Sequence, residues 1–208
     1  LSGIRAALFD LGNVLVNFDH RRAASRIAPY TAYSADEIYR LFFDSEVVGL
    51  FEEGKLSERD FFVRVRDTLG AAMTFEQFVP IWNDIFFMTH QNRCLVGIVA
   101  SLRSRYALGL LSNINSLHFE YLQTHFPVFG AFHRLYLSYQ MDARKPAPAV
   151  YRKALQEFGV KPGECFYTDD REDLVLSARS LGIKGYVYRG IEQLKKDLQS
   201  EGIDTAGI

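Results

Sequence analysis

The chain has 208 residues, 48% hydrophobic and 24% charged, which suits a folded domain with one sizeable core and an inserted module and does not suit a disordered chain. Its 24 Lys and Arg nearly balance 25 Asp and Glu, for a formal net charge of -1, and the basic residues gather only in short pairs such as Arg21-Arg22 and Lys195-Lys196, which argues against a nucleic-acid partner. Two distant cysteines, Cys94 and Cys165, argue against a disulfide framework or a zinc site, and no apolar run reaches the ~18 residues of a membrane span. The expectation is a monomer or homodimer without membrane or nucleic-acid partners in a reducing, cytoplasmic compartment; residues 1–5 show no signal-peptide core.

In chain order, residues 4–9 form a short apolar run that ends at Asp10-Leu-Gly12-Asn13, a strand running into a loop. Residues 17–90 then read as helical throughout. Ser34-Ala-Asp-Glu37 and Thr74-Phe-Glu-Gln77 carry capping-box spacing, Ser57-Glu-Arg-Asp60 is a looser version, and Gly54, Gly70 and Pro80 punctuate the stretch. The aromatic residues here (Phe42, Phe43, Phe51, Phe61, Phe62, Trp82, Phe86 and Phe87) read as core rather than as a ligand platform. Residues 91–104 form a helix with a one-sided stripe at Leu95, Val96, Ile98, Val99 and Leu102.

Residues 106–111 form a second strand, ending at Ser112-Asn113, and residues 135–137 a weaker third. A helix over 147–158 stops at Gly159. A fourth strand over 165–167 ends at Thr168-Asp169-Asp170, a helix over 173–181 stops at Gly182, and residues 185–188 form a fifth strand. Strands alternating with helices predict an α/β fold, a Rossmann-like parallel sheet with helices on both faces. Residues 1–16 and 91–208 make that core, and residues 17–90 make an inserted all-helical cap. In such sheets ligands bind beyond the carboxyl ends of the strands, where Asp10, Ser112 and Asp169-Asp170 fall.

Four separated motifs stand at these strand ends and helix starts: Phe9-Asp10-Leu-Gly12-Asn13-Val14-Leu15, Leu111-Ser112-Asn113, Arg144-Lys145-Pro146 and Tyr167-Thr168-Asp169-Asp170. In order and spacing they resemble the haloacid dehalogenase-like superfamily over almost the whole chain. The first motif looks closest to the bacterial sugar-phosphate phosphatase branch, including α-D-glucose-1-phosphate phosphatases. Taken singly, each residue has a plain structural reading: Asp10 in a turn, Ser112 as a helix cap, Lys145 as a solvated loop charge, and Asp169-Asp170 as a helix start. The histidines and both cysteines keep that reading.

The chemistry follows from the residue types. A carboxylate at a strand end, Asp10, can attack phosphorus and form an aspartyl-phosphate. Mg²⁺ on Asp10 and Asp170 would screen two anions that otherwise repel. Lys145 adds a compact positive charge, and Ser112 with the Asn113 amide can donate to phosphoryl oxygens. The resemblance further implies that the carbonyl of Gly12 ligates the metal, that Asp170 does so directly, and that Asp169 does so through water. It also likens residues 49–55 to a cap loop facing the active site, which makes Lys55 a candidate contact for a substrate anion beside its plainer reading as an exposed linker lysine.

Two positions depart from the family pattern. Gly12 stands where most phosphatases of the superfamily carry a second Asp as general acid–base, a contribution of typically ~10²–10⁴-fold; without it, acidic leaving groups such as anomeric, acyl or aryl phosphates are expected to be favoured. Leu174 stands where relatives commonly carry Asn or Asp, and Asp173 lies about 100° around the helix from that position. The expected activity is Mg²⁺-dependent hydrolysis of a small phosphorylated metabolite. The rivals are a metal-independent haloacid dehalogenase and a weakly active or non-enzymatic phosphate-binding protein.

Overall fold

A computed structural model describes residues 3–42 and 45–204; Phe43, expected in the core, lies outside them. Five parallel strands form one sheet in the order β5-β4-β1-β6-β7: β1 (Ala6–Phe9), β4 (Ala107–Ser112), β5 (Arg134–Leu137), β6 (Cys165–Asp169) and β7 (Lys184–Val187). All four residues of β1 are fully buried, as expected of a central strand covered on both faces. Their side chains alternate: Ala7 and Phe9 join one apolar cluster, Ala6 and Leu8 another.

Helices cover both faces. On the first, α6 (His90–Leu102) contributes Leu95, Ile98, Val99 and Leu102, and α11 (Ile191–Ser200) contributes Leu194 and Leu198. On the second lie Val150, Tyr151, Ala154 and Leu155 of α9 (Pro148–Phe158) with Val175 and Ala178 of α10 (Glu172–Ser180). Gly159, at φ 62, ends α9 in the left-handed conformation, as its position predicts. The chain leaves β1 toward β4 and β5 and returns on the opposite side through β6, so its direction reverses at the β1–β6 boundary. That is where an open α/β sheet offers a ligand crevice.

Among the described residues, five α-helices lie between β1 and α6: α1 (His20–Ile27), α2 (Ala35–Phe42), α3 (Glu46–Glu52), α4 (Glu58–Leu69) and α5 (Phe75–Asn83). A two-residue ribbon, β2 (Asn17–Phe18) against β3 (Phe86–Phe87), ties the ends of this stretch together. The capping boxes form where expected: Thr74 and Gln77 exchange hydrogen bonds at α5, and the Ser57 hydroxyl accepts from the Asp60 amide at α4. The helices share an aromatic core. Phe61 stacks on Phe51 at 4.3 Å and meets Trp82 edge-on at 4.9 Å. Phe42, Phe62 and Phe78 are buried with them, while Phe87 is exposed.

Two glycines of the insertion take a left-handed backbone, and only the first lies tightly on the sheet domain. Gly54, at φ 70, approaches the Tyr139 carbonyl so closely that a Cβ there would sit 2.3 Å from the oxygen. Gly70, at φ 55, ends α4 with open space around it. Gly70→Ala is therefore expected to cost only the left-handed penalty of about 1–2 kcal/mol. Gly54→Ala adds an overpacking cost of about 1–3 kcal/mol. Urea denaturation of both variants checks this, and equal losses would contradict the close approach.

Candidate active site

Three adjacent parallel strands deliver the motif residues to one crevice. Phe9 pairs with Leu110 of β4 and Thr168 of β6, so Asp10, one residue on, emerges beside Asp169, and its amide donates to the Thr168 carbonyl at 3.0 Å. Ser112 ends β4 and is buried, as are Asp10, Lys145 and Asp169. After Gly12 the chain turns back: the Asn13 amide donates to the Val16 carbonyl at 2.7 Å. Asn13 adopts a left-handed φ of 53 and sends its Nδ2 to Asp170 Oδ2 at 3.2 Å.

Lys145 reaches in from the loop before α9. Its ammonium donates to Asp10 Oδ1 and Asp169 Oδ2, each at 2.6 Å. Asn113 anchors that loop: its Nδ2 donates to the Lys145 carbonyl at 2.9 Å, and its Oδ1 accepts from the Lys145 amide at 2.8 Å. Burial works against the charge on Lys145, but Asp10 and Asp169 outweigh it and hold the ammonium protonated well past its ordinary range. Asp169 is buried too, yet Lys145, the Tyr167 hydroxyl and the Arg171 amide keep it below the usual carboxylate range. Asp10 goes the other way. Burial, then the neighbouring Asp169 and Asp170 charges, against the pull of Lys145, push it up to about 7.

One carboxylate oxygen from each of Asp10, Asp169 and Asp170 lies within 4.8 Å of the others. One ammonium does not neutralise three carboxylates, and burial raises Asp170 above its ordinary value as well. Hard oxygen donors crowded this closely fit a divalent cation of the Mg²⁺ type. Asp169 has both oxygens engaged by protein donors, whereas Asp170 opens on the cavity.

The cavity is about 470 Å³ and includes Asp10, Gly12, Ser112, Asn113, Lys145, Asp169 and Asp170 among its lining residues. Lys55 is not brought to it. Its ammonium pairs with Glu53 at 2.5 Å, and its side chain is half exposed. The cationic lining besides Lys145 comes from Arg144 and Arg171. The helical insertion contributes Phe18, His20, Tyr39 and Glu52. Glu52 follows from no local pattern in the sequence, because its neighbour Glu53 has the same chemistry.

At the two departures other side chains take up the space or the contact. A Cβ on Gly12 would lie 2.7 Å from Cε1 of Phe18, so an aromatic ring fills the space beside Gly12. Leu174 packs against the site, Asp173 turns outward to pair with Arg171 at 2.7 Å, and the Tyr167 hydroxyl orients Asp169 from within the fourth motif. His118 keeps its structural role: it is buried against Trp82 at 5.1 Å and held neutral, pushed down to about 3 by burial.

The family model of haloacid dehalogenase-like hydrolases matches residues 4–182. A D-ribitol-5-phosphate phosphatase of Bacteroides thetaiotaomicron is 26% identical over 189 residues, covering 88% of this chain and 91% of that protein. A phosphatase of Mycobacterium tuberculosis is 28% identical over 229 residues, 98% of this chain and 99% of that one. A solved structure of a HAD family enzyme from Bacteroides thetaiotaomicron, in complex with magnesium and inorganic phosphate, has a TM-score of 0.79 at 28% identity over 90% of this chain and 96% of that one. The family match spans both outer strands of the motif set and everything between them, and the chain belongs to the haloacid dehalogenase-like hydrolases.

Proposed function

We propose that this protein is a Mg²⁺-dependent phosphatase that hydrolyses the phosphate monoester of a small polyhydroxylated metabolite through an aspartyl-phosphate on Asp10. The observation that carries this reading is the buried Lys145 ammonium between Asp10 and Asp169, with Asp170 completing a three-carboxylate cluster. Asp10, Asp170 and the Gly12 carbonyl would hold the metal, with Asp169 behind it. Bound Mg²⁺ supplies the positive charge that lets a phosphate dianion approach the Asp10 carboxylate.

Lys145 screens the same approach and fixes the Asp10 carboxylate in place. Ser112 and the main-chain amide of Asn113 donate to the phosphoryl oxygens, while the Asn113 side chain is committed to the Lys145 loop. Residues 17–90 act as the cap that excludes water and selects the substrate, over a core of residues 1–16 and 91–208. A cavity of about 470 Å³ suits a small metabolite. The relative named for D-ribitol 5-phosphate points to a sugar alcohol or sugar phosphate. Three clustered carboxylates disfavour a metal-free dehalogenase, whose anionic substrate they would repel. Unpaired Cys94 and Cys165 agree with a reducing, cytoplasmic setting.

Asp10→Asn is nearly isosteric and removes the nucleophile, so phosphate release from a panel of sugar, polyol and nucleotide phosphates is expected to stop in a variant that still folds. EDTA is expected to silence the wild type. Turnover persisting in clean Asp10→Asn protein, or undiminished in EDTA, rules the mechanism out.

Cation binding should depend on pH with a definite sign. Burial pushes Asp10 up to about 7, and Mg²⁺ requires its deprotonated form. Affinity measured by calorimetry is expected to fall up to tenfold per pH unit below about 7 and to level off above it. A flat profile from pH 5 to 8 would contradict this.

Lys145→Met leaves two buried carboxylates without their cation. At neutral pH without Mg²⁺ it is expected to cost about 3–5 kcal/mol of stability, along with activity. Lowering the pH should restore part of that stability, because protonating Asp10 removes the unpaired charge. Denaturation curves at pH 5 and 8 test this, and a loss that does not shrink at pH 5 counts against it.

A further inference from the structure

An alkoxide is a poor leaving group, and the acid that would protonate it is missing at Gly12. The Phe18 ring occupies the adjacent space, so the first motif itself offers no proton donor. Within the cavity, Lys145 holds its proton too tightly to act as an acid, and Asp169 is locked by Lys145, Tyr167 and the Arg171 amide.

Glu52 is placed differently. It is the last residue of α3, and four contacts fix that helix end over the crevice. The Ser138 hydroxyl donates to the Glu52 carbonyl at 2.5 Å. Gly49, one turn earlier, lets Arg144 lie so close that a Cβ would meet its Nη2 at 2.9 Å. Gly54 rests on the Tyr139 carbonyl, and Ser116 Oγ donates to Glu58 at 2.7 Å just beyond. The Glu52 carboxylate thus lines the same cavity as Asp10 and Gly12, and its side chain keeps 22% of its exposure, so a ligand can reach it.

Its nearest charge, Arg144 Nη1, stands 3.5 Å away, long for a hydrogen bond, while Glu53 takes Arg144 Nε at 3.4 Å. Burial pushes Glu52 up to about 6, against the pull of Arg144, then Lys145. A carboxyl near neutrality can both give and take a proton.

We propose that Glu52 is the acid–base group of this site, acting on the leaving-group oxygen in one half-reaction and on the attacking water in the other. The inference rests on the phosphatase reading. In the first step an Asp10 carboxylate oxygen bonds to phosphorus, the phosphorus–oxygen bond to the alcohol breaks with its electron pair going to oxygen, and the Glu52 proton passes to that oxygen. In the second step the Glu52 carboxylate takes a proton from water as the water oxygen bonds to phosphorus. The bond from phosphorus to Asp10 breaks, inorganic phosphate leaves, and both carboxyl groups return to their starting states. The protein then needs no acidic leaving group, contrary to what Gly12 alone implies, and accepts the primary phosphate of a polyol.

The experiment compares wild type, Glu52→Gln and, as a control, Glu53→Gln, in Mg²⁺, on a sugar-alcohol 5-phosphate and on 4-nitrophenyl phosphate. Nitrophenolate leaves without a proton. For Glu52→Gln, kcat/KM on the alkyl ester is expected to fall ~10²–10⁴-fold and on the aryl ester less than tenfold. Slowed attack by water should also produce a burst of nitrophenolate of about one equivalent. Glu53→Gln should behave as wild type on both esters. Equal losses on the two esters, a change in KM alone, or no loss would overturn the role of Glu52 while leaving Asp10 chemistry standing. A wild type inactive on both esters, or activity surviving Asp10→Asn, would instead overturn the phosphatase reading and this inference with it.

Discussion

Lys145 carries a full positive charge into a site where almost no water reaches it, and it survives there because Asp10 and Asp169 each stand 2.6 Å from its nitrogen. A buried ammonium without partners would lose its proton, and two buried carboxylates without a cation would take one up. Neither group is at home alone, so the three positions depend on one another. They come from β1, from the loop ahead of α9 and from the end of β6. The sheet order β4-β1-β6 puts two of them side by side, and the Asn113 clasp on the Lys145 backbone brings in the third. The surplus of carboxylate over ammonium is the feature that makes the site cation-seeking rather than merely salt-bridged.

The same dependence explains how Leu174 is tolerated. A polar side chain there is one way to orient the acidic residue that faces the lysine. Here the Tyr167 hydroxyl takes that work from the strand, two residues before Asp169, and Tyr151 donates to the Leu174 carbonyl at 3.0 Å. The polar contact has moved from the helix to the β6 side, and Leu174 is free to pack. A position that reads as a defect in the motif is thus compensated by a residue inside the same motif.

The alternation of strand and helix was legible because central parallel strands must be apolar on both faces. Residues 4–9 and 106–111 read that way, and β1 and β4 lie within two residues of those bounds. Helices α6, α9 and α10 were legible because each packs one face on the sheet. α7 (Ser116–His125) was not: Leu117 packs into the insertion's core, while Phe119 and Leu122 face the sheet, so no single stripe forms. α11 carries only Leu194 and Leu198 as fully buried apolar residues, too thin a stripe to mark it. In the site, residues fixed by strand ends were readable from spacing, whereas those set by how the insertion packs on the sheet were not. Lys55 and Glu52 are three residues apart, yet the helix end turns Glu52 inward, and the lysine pairs with Glu53 at the surface.

That difference bears on how Gly12 should be understood. Placing an acid at position 12 requires space for its Cβ, and Phe18 of β2 occupies that space. β2 is half of the ribbon that ties off the insertion, and the Phe18 ring also packs against His20 at 4.8 Å and Phe86 at 6.3 Å. The ring is therefore part of the stem of the insertion as well as a wall of the cavity. Moving it to admit an aspartate would disturb both. With position 12 closed by the stem of the insertion, the proposed acid comes from the end of α3, the element that Gly49, Gly54 and Ser138 hold over the crevice. On the proposed reading the proton is carried at the end of α3, rather than on the nucleophile's own loop, and reaches the crevice through the contacts that Gly49, Gly54 and Ser138 make between the insertion and the sheet domain.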